Sequence, residues 1–403
     1  MKIFFINSLL VTFSIIVGLI IGEIILRTFM PLDLQPIETL ESMPSYEMVY
    51  RHKPNSQWVS KGREFSVPIK INSKGLRDYE YDLEKKDNVF RIALVGDSIT
   101  EARQVELDET FAKLVEVELN RLNKQKGKYR KIEVINFGVS DYGTDDEFIR
   151  IKADVLDYDP DLVIIVFVNN DLNNVLCNKF FRIDDEGRLV MRQFSRTWQR
   201  KLLVRIFGKL HLFYYSRLVL SNYPTVYNYI AEKIDRWIGL PEGYDEQKRL
   251  RREMQKRFES EYPTRINYYV NKYQTELEEA YAIVEKLYDE MHKLLSKRGI
   301  DLLAVHATHL VRINPTVIHR YNIERYGLKM EDIDVTLPYR RMSEIWSRLR
   351  IKHLNMADYL KELADKGNSL HFKRDGHLNP TGHRYFANHI IAYLINNKMV
   401  FGD

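Results

Sequence analysis

The chain has little cysteine, glycine or proline, and it has no strong excess of either charge. Cys177 is the only cysteine among 403 residues, which excludes an intramolecular disulfide and a cysteine-rich zinc site. The 18 glycines and 12 prolines are too few to indicate a long disordered region. A formal net charge of +5 gives no argument for nucleic-acid binding. With a hydrophobic fraction of 45%, the sequence indicates a folded protein with one large core plus an insertion, or two domains.

The longest hydrophobic run lies at the amino terminus. Ile3 to Ile21 is interrupted by only four polar residues, and such a length suffices to cross a bilayer. No small-x-small cleavage site follows, so we expect an uncleaved transmembrane signal anchor over residues 1–27. A single span before a large domain normally exports that domain. This predicts a single-pass protein of the cytoplasmic membrane with an extracytoplasmic catalytic domain.

The main domain is predicted from alternating apolar strands and amphipathic helices. Residues 28–88 contain turn residues and short alternating segments, typical of a strand-bearing lead-in. Residues 89–176 and 269–403 then supply the two parts of an α/β fold, a three-layer α/β/α sandwich around a mostly parallel sheet. Its predicted strands are Arg91–Val95, Ile132–Ile135, Leu162–Val168, Ile300–Val305 and a weaker one near Leu354–Met356.

An insertion separates these two parts. Residues 177–268 begin with a predicted hairpin around Asp184–Gly187 and continue as mainly helical, basic and aromatic sequence. No acidic residue occurs from Gly187 to Ala231. A basic amphipathic helix of this kind suits an anionic membrane surface or an acidic polymer. The alternative is a solvated helix packed on its own domain.

Ser98 stands at the end of the first predicted strand of the main domain. It follows Gly96 and Asp97, and open parallel sheets carry their chemistry just outside the carboxyl ends of their strands. Ser98 is therefore a candidate nucleophile. The alternative is that Asp97 or Ser98 only caps the helix that follows, since both residue types are favoured caps.

Asp375 and His377 supply the groups that a serine nucleophile needs. A base must take the hydroxyl proton, and a carboxylate must hold the imidazole in the correct tautomer. Two residues apart in an extended turn, these side chains can converge on one pocket. His306 and His309 also lie near a strand end, but we expect both to be polar loop residues.

Two loops after predicted strands are candidates for an oxyanion hole, which needs fixed hydrogen-bond donors. The segment 136–144 offers backbone N–H groups, and Asn170 offers a side-chain amide. Ordinary turn formation explains such residues equally well when each loop is considered alone.

Together these motifs resemble the SGNH, or GDSL-type, hydrolase superfamily, and the amino-terminal run resembles its membrane-anchored members. The resemblance covers residues 89–175 and 269–398. It is carried by Gly96–Thr100, Asn169–Asp171 and Asp375–Pro380 with Gly382. Two positions depart from the family pattern, because Asp141 and Val168 stand where the family usually has glycine.

The resemblance implies a flavodoxin-like SGNH hydrolase fold and a set of site residues. Ser98 would be the nucleophile, His377 the general base and Asp375 its orienting acid. The oxyanion donors would be Ser98, Asp141 and Asn170. No metal or organic cofactor is needed for this chemistry.

Three functions follow as alternatives. The first is an extracytoplasmic serine esterase that hydrolyses short-chain acyl esters, such as O-acetyl esters, on an acylated glycan or lipid. The second is an O-acyltransferase that modifies a cell-surface glycan with a membrane partner as acyl donor. The third is a binding protein that keeps the fold and has little catalytic activity. No nucleic-acid partner is expected.

Overall fold

The computed structural model describes most of the chain outside the predicted insertion. The described residues are 2–29, 39–43, 46–178, 180–191, 267–270, 275–308, 313–314 and 328–402. His309 and the basic helix predicted within the insertion lie outside these residues.

The described strands and helices alternate along the main domain, as the sequence predicts. The strands are β1 Leu40–Met43, β2 Tyr46–His52, β3 Gln57–Lys61, β4 Ser66–Lys70, β5 Val89–Gly96, β6 Lys131–Asn136, β7 Leu162–Phe167, β8 Phe181–Ile183, β9 Leu189–Met191, β10 Asp301–His306 and β11 Lys352–Asn355. The helices are α1 Lys2–Phe29, α2 Ser98–Glu101, α3 Phe111–Lys126, α4 Thr144–Ala153, α5 Asn170–Asn178, α6 Thr275–Ser296, α7 Leu337–Arg348, α8 Met356–Asp365 and α9 Pro380–Asn396.

Five strands form one parallel sheet in the order β11-β10-β7-β5-β6. The first of them in the chain, β5, lies between the second, β6, and the third, β7. The direction of winding therefore reverses between β5 and β7. In open α/β sheets a ligand site forms at such a reversal, outside the carboxyl ends of the strands. Ser98 and Asn170 are the first residues of the helices that follow β5 and β7.

Helices cover both faces of this sheet. On one face Ala93, Val95 and Ile165 pack in a cluster with residues of α4, α5, α6 and α7. On the other face Leu94 and Ile164 pack with residues of α3, α8 and α9. Because both faces are buried, the central strands are continuously apolar, and each fully buried Val, Ile or Leu contributes about 1.5–3 kcal/mol of transfer free energy. The α/β fold with a central parallel sheet is thus confirmed.

Local signals at the ends of elements are also confirmed. The Asn379 side chain accepts a hydrogen bond from the Gly382 N–H at 2.9 Å, and Pro380 is the first residue of α9. The predicted hairpin around residues 184–187 joins the antiparallel pair β8 and β9. The prediction for His306 is wrong: the sequence predicts a polar loop residue, but His306 is the last residue of β10 and is fully buried.

The lead-in forms two antiparallel pairs, β1 with β2 and β3 with β4. The alternation predicted from the sequence is present in β4, where Val67 and Ile69 are buried and their neighbours are exposed. Ahead of the lead-in, α1 contains the predicted hydrophobic run. Counting only the residues that the structure describes, no helix is long and apolar enough to cross a membrane.

Candidate active site

Ser98 begins a short helix directly after β5. The Asp97 side chain caps this helix by accepting a hydrogen bond from the Ile99 N–H at 2.9 Å. The cap is therefore the residue before the serine, which leaves the Ser98 hydroxyl free for another partner. Gly96 has no room for a side chain, since a Cβ there would lie 2.2 Å from the Thr100 hydroxyl oxygen. This close approach sets the sharp turn from strand to helix.

His377 lies next to Ser98, although 279 positions separate the two residues in the chain. The His377 Nε2 atom is 3.0 Å from the Ser98 Oγ atom, and His377 Nδ1 is 2.5 Å from Asp375 Oδ1. Gly376 lies between the acid and the histidine with a φ of +89°, in the left-handed region that favours glycine. The structure thus brings together Ser98, His377 and Asp375 in a continuous hydrogen-bonded chain.

The two ionisable groups shift each other's pKa in opposite directions. Burial alone lowers the pKa of His377, but the hydrogen bond and charge of Asp375, with the charge of Asp97, raise it, and the net direction is upward. Burial raises the pKa of Asp375, but the hydrogen bond and charge of His377 bring it below its ordinary value. The carboxyl is therefore ionised at neutral pH and favours a proton on the Nδ1 atom of His377.

The loop between β6 and α4 carries Asp141. Its φ is +64°, the conformation that glycine adopts most readily, and this explains why a glycine suits the position. The Asp141 side chain is exposed to solvent. No residue that the structure describes accepts a hydrogen bond from the backbone N–H of Asp141 or of Ser98. Both N–H groups are thus available as donors.

Asn170 closely follows β7 and is the first residue of α5. Its side-chain nitrogen donates to Asp97 Oδ2 at 3.0 Å, which leaves the second amide hydrogen for another acceptor. Asp97 is 1% exposed, and its burial raises the pKa of its carboxyl. Asp97 therefore links the helix that begins with Ser98 to the beginning of α5.

His306 does not join Ser98 and His377. Its Nε2 atom lies 2.8 Å from Asn169 Oδ1, and burial lowers its pKa to about 3. The imidazole is therefore neutral and donates its Nε2 proton to the amide oxygen of Asn169. His306 therefore supports Asn169, the residue before Asn170.

Several buried polar residues of this region were not predicted from the sequence. Glu101 and His52 are fully buried as a close pair, with Glu101 Oε1 3.1 Å from His52 Nε2. Arg77 donates to the carbonyl groups of Glu101 and Val105. The only available signal was the position of Glu101 directly after the serine motif.

Among the described residues, no group of three His, Cys, Asp or Glu side chains is arranged to hold a metal ion.

The doubly wound sheet and the Ser98–His377–Asp375 contact at its carboxyl edge are the features of a serine-dependent hydrolase with an α/β fold. Residues 92–390 match the GDSL-like lipase/acylhydrolase family. The chain belongs to this family and is an ester-hydrolysing enzyme.

Solved structures that the chain resembles are distant in sequence. An acetyl xylan esterase, AlAXEase, is 13% identical over 76% of this chain and 100% of that chain, with a TM-score of 0.38. The lipase/acylhydrolase from Enterococcus faecalis is 11% identical over 76% and 96% of the two chains, with a TM-score of 0.38. An alpha/beta hydrolase enzyme from the metagenome of Lake Arreo is 14% identical over 75% and 94%, with a TM-score of 0.38. No curated protein matches the sequence.

Proposed function

We propose that the protein is an extracytoplasmic serine esterase that hydrolyses short-chain carboxylic esters through an acyl-Ser98 intermediate. The observation that carries this proposal is the chain of contacts from Ser98 Oγ to His377 Nε2 at 3.0 Å and from His377 Nδ1 to Asp375 at 2.5 Å. A hydroxyl is a weak nucleophile until a base takes its proton, and both distances are within hydrogen-bond reach.

In the first half-reaction, Ser98 Oγ attacks the ester carbonyl carbon while His377 Nε2 takes the hydroxyl proton. The carbonyl oxygen becomes an oxyanion, for which we assign the N–H groups of Ser98 and Asp141 and the free amide hydrogen of Asn170 as donors. Collapse of this intermediate breaks the bond to the alcohol oxygen, which leaves with the proton from Nε2. General-base action contributes about 10²–10⁴-fold and one oxyanion donor about 10²–10³-fold.

In the second half-reaction, water takes the place of the alcohol. His377 removes a proton from the water as its oxygen attacks the acyl carbon, and Ser98 Oγ then leaves and recovers the proton. Asp375 remains ionised throughout and stabilises the imidazolium that forms in each half-reaction. The products are a carboxylic acid, the free alcohol and the unchanged enzyme.

The proposed substrate is a short acyl ester, such as an O-acetyl group, on a surface glycan or lipid. The reacting side chains are partly open to solvent, with His377 28% and Asp375 25% exposed. A bulky alcohol portion can approach groups at this depth, so the site suits an acyl group attached to a polymer or headgroup. Turnover of aryl esters with a range of acyl chain lengths tests whether the site accepts only short acyl groups.

The proposed location rests on α1. Its apolar side chains are exposed, among them Leu10 at 58%, Phe13 at 64% and Ile24 at 57%. A helix that is apolar all round suits an apolar surrounding better than water. We propose that this helix attaches the protein to the cytoplasmic membrane and that the catalytic domain lies outside the cytoplasm. Alkaline phosphatase fused to the carboxyl terminus should be active, because this enzyme folds only outside the cytoplasm. An inactive phosphatase fusion, together with a fluorescent green fluorescent protein fusion at the same position, would place the catalytic domain in the cytoplasm and contradict the proposal.

The proposed position beside a membrane is also compatible with a second candidate, an O-acyltransferase supplied with acyl groups by a membrane partner. In that case the hydroxyl of a sugar, instead of water, attacks the acyl-Ser98 intermediate. Soluble acceptor sugar separates the two functions, because a transferase produces acylated sugar faster than free acid.

The deciding experiment uses the full chain in detergent with an aryl acetate and a fluorophosphonate probe. Wild type should turn over the ester and be labelled at Ser98, and Ser98→Ala should lose both. Ser66→Ala is the matched control, since Ser66 is an exposed serine on β4. Full turnover by Ser98→Ala would exclude the proposed mechanism. Absence of both turnover and labelling in wild type would favour a binding protein.

A further inference from the structure

The peptide bond between Ser140 and Asp141 is held at its carbonyl by a tyrosine of the lead-in. The Tyr50 hydroxyl donates a hydrogen bond to the Ser140 carbonyl oxygen at 3.2 Å. A trans peptide is planar, and its C=O and N–H bonds point in opposite directions. Fixing the carbonyl therefore fixes the direction of the Asp141 N–H. The same hydrogen bond polarises the amide and makes its N–H a stronger donor.

Glu101 holds the same segment from the other side. Its Oε2 atom accepts hydrogen bonds from the Ser140 N–H at 2.6 Å and from the Ser140 hydroxyl at 2.5 Å. Glu101 belongs to the short helix that begins with Ser98, so one rigid turn connects the nucleophile to the loop. Burial alone raises the pKa of Glu101, but the charges of His52 and Arg103 lower it below its ordinary value. The carboxyl is therefore ionised, and charged acceptors form the stronger hydrogen bonds.

The loop needs this support because of its backbone. Asp141 is a non-glycine residue with a φ of +64°, and such conformations persist where the surrounding structure determines them. Gly138 packs directly on the nucleophile helix, since a Cβ there would lie 2.5 Å from the Glu101 backbone nitrogen. Loop and helix thus form one unit, to which Tyr50 is attached from β2.

We propose that Tyr50 and Glu101 are positioning residues that orient the Asp141 N–H toward the oxyanion, an inference that rests on the proposed function. Neither side chain is assigned contact with the substrate. Tyr50 acts on the carbonyl of the donor peptide, and Glu101 acts on the residue before the donor. The lead-in precedes the family match, which begins at residue 92, yet in this proposal one of its residues, Tyr50, orients a donor of the site.

The test compares Tyr50→Phe with Tyr129→Phe in the full chain. Tyr50→Phe removes one hydroxyl and keeps the ring that packs on Tyr142. Tyr129→Phe is the matched control, because its hydroxyl also donates to a backbone carbonyl, that of Val400 at 2.7 Å, outside the site. Two rates are measured: kcat for an aryl acetate, and labelling of Ser98 by a fluorophosphonate. In the labelling reaction His377 Nε2 takes the hydroxyl proton as Ser98 Oγ displaces fluoride from phosphorus, while the phosphoryl oxygen takes the oxyanion position.

We expect Tyr50→Phe to lower both rates about 10-fold with KM unchanged, because it loses part of the effect of one donor, itself worth about 10²–10³-fold. Glu101→Gln should lower both rates by roughly 10²-fold. Tyr129→Phe should match wild type. A merely structural role would lower the thermal midpoint and the amount of active enzyme but leave kcat per labelled site unchanged.

The outcomes separate this inference from the proposed function. If wild type is not labelled at Ser98, or if Ser98→Ala retains turnover, the proposed function fails and the inference fails with it. If Ser98 is labelled and Tyr50→Phe behaves like Tyr129→Phe, only the positioning role is overturned. An increase in KM with unchanged kcat would also overturn it, since ground-state binding would then be the affected quantity. If Glu101→Gln does not fold, the rates of Tyr50→Phe alone decide whether the positioning role holds.

Discussion

The Glu64 carboxylate accepts a hydrogen bond from the backbone N–H of Arg374 at 2.7 Å. The same carboxylate accepts a second bond from the Lys373 N–H at 3.1 Å, and Phe65 packs on Phe372 with ring centroids 5.3 Å apart. The tip of the β3–β4 hairpin therefore contacts the loop that presents Asp375 and His377. The lead-in supports both sides of the candidate site.

We predict that Glu64→Ala lowers kcat for an aryl acetate by roughly 5- to 30-fold, because two hydrogen bonds that hold the His377 loop are lost and together they contribute about 1–2 kcal/mol at an exposed position. Glu64→Gln keeps one acceptor oxygen and should lose less. Glu84→Ala, at another exposed glutamate of the lead-in, is the control. Equal rates for Glu64→Ala and Glu84→Ala would show that the hairpin tip does not position the loop.

The pH dependence of turnover should report the pairing of His377 with Asp375. The reaction needs a neutral imidazole, and the pKa of His377 is raised. Activity is therefore lost as pH falls through this raised pKa, so the acidic limb of kcat/KM lies above about 6.5, the ordinary histidine value.

Asp375→Asn removes the main group that raises the pKa of His377. The acidic limb should then move to lower pH while kcat falls by about 10⁴-fold, since the imidazole loses its correct tautomer. Both quantities come from a pH–rate profile of the variant and of wild type. A limb that stays in place in Asp375→Asn would show that another group controls the protonation of the base.

The α/β fold was predictable from the sequence because its central strands are buried on both faces. A run such as Leu162–Phe167 contains only apolar residues, which identifies a strand without knowledge of its neighbours. The cap at Asn379 was predictable for a similar reason, since capping depends on residues within one turn of the helix. Short stretches of sequence thus sufficed to predict the strands and helices and several of the residues at which they begin or end.

The supports of the site were not predictable, because they join distant parts of the chain. Tyr50 and Ser140 lie 90 positions apart, and neither has a local pattern that indicates the other. Glu101 and His306 are buried polar residues, which periodicity assigns to the surface or to a loop. The pairing of Ser98 with His377 was expected from the chemistry of a serine nucleophile and from family resemblance, but their distance came only from the three-dimensional structure.

Asp141 stands where the family usually has glycine, and this predicts that glycine and alanine variants at position 141 differ in stability and kcat. Asp141→Gly should retain or increase kcat, because glycine adopts a φ of +64° without strain and the backbone donor remains. Asp141→Ala should be destabilised by about 1 kcal/mol, since alanine tolerates the left-handed conformation less well than aspartate. Thermal midpoints and kcat of the two variants test this order. Equal stability would indicate that the loop relaxes to another conformation.

Asp97 and Asn170 should act as one unit in catalysis. Asn170→Ala removes a proposed oxyanion donor and should lower kcat by about 10²–10³-fold with little change in KM. Asp97→Ala removes the acceptor that orients the Asn170 amide at 3.0 Å, so most of the same loss should follow although the donor is still present. The double variant should then be only slightly slower than Asn170→Ala, because an amide that is absent cannot be misplaced. A double-mutant cycle on kcat measures this coupling, and thermal midpoints control for the loss of the helix cap that Asp97 also provides. Additive losses would mean that Asp97 supports only the nucleophile helix and that Asn170 finds its orientation without it.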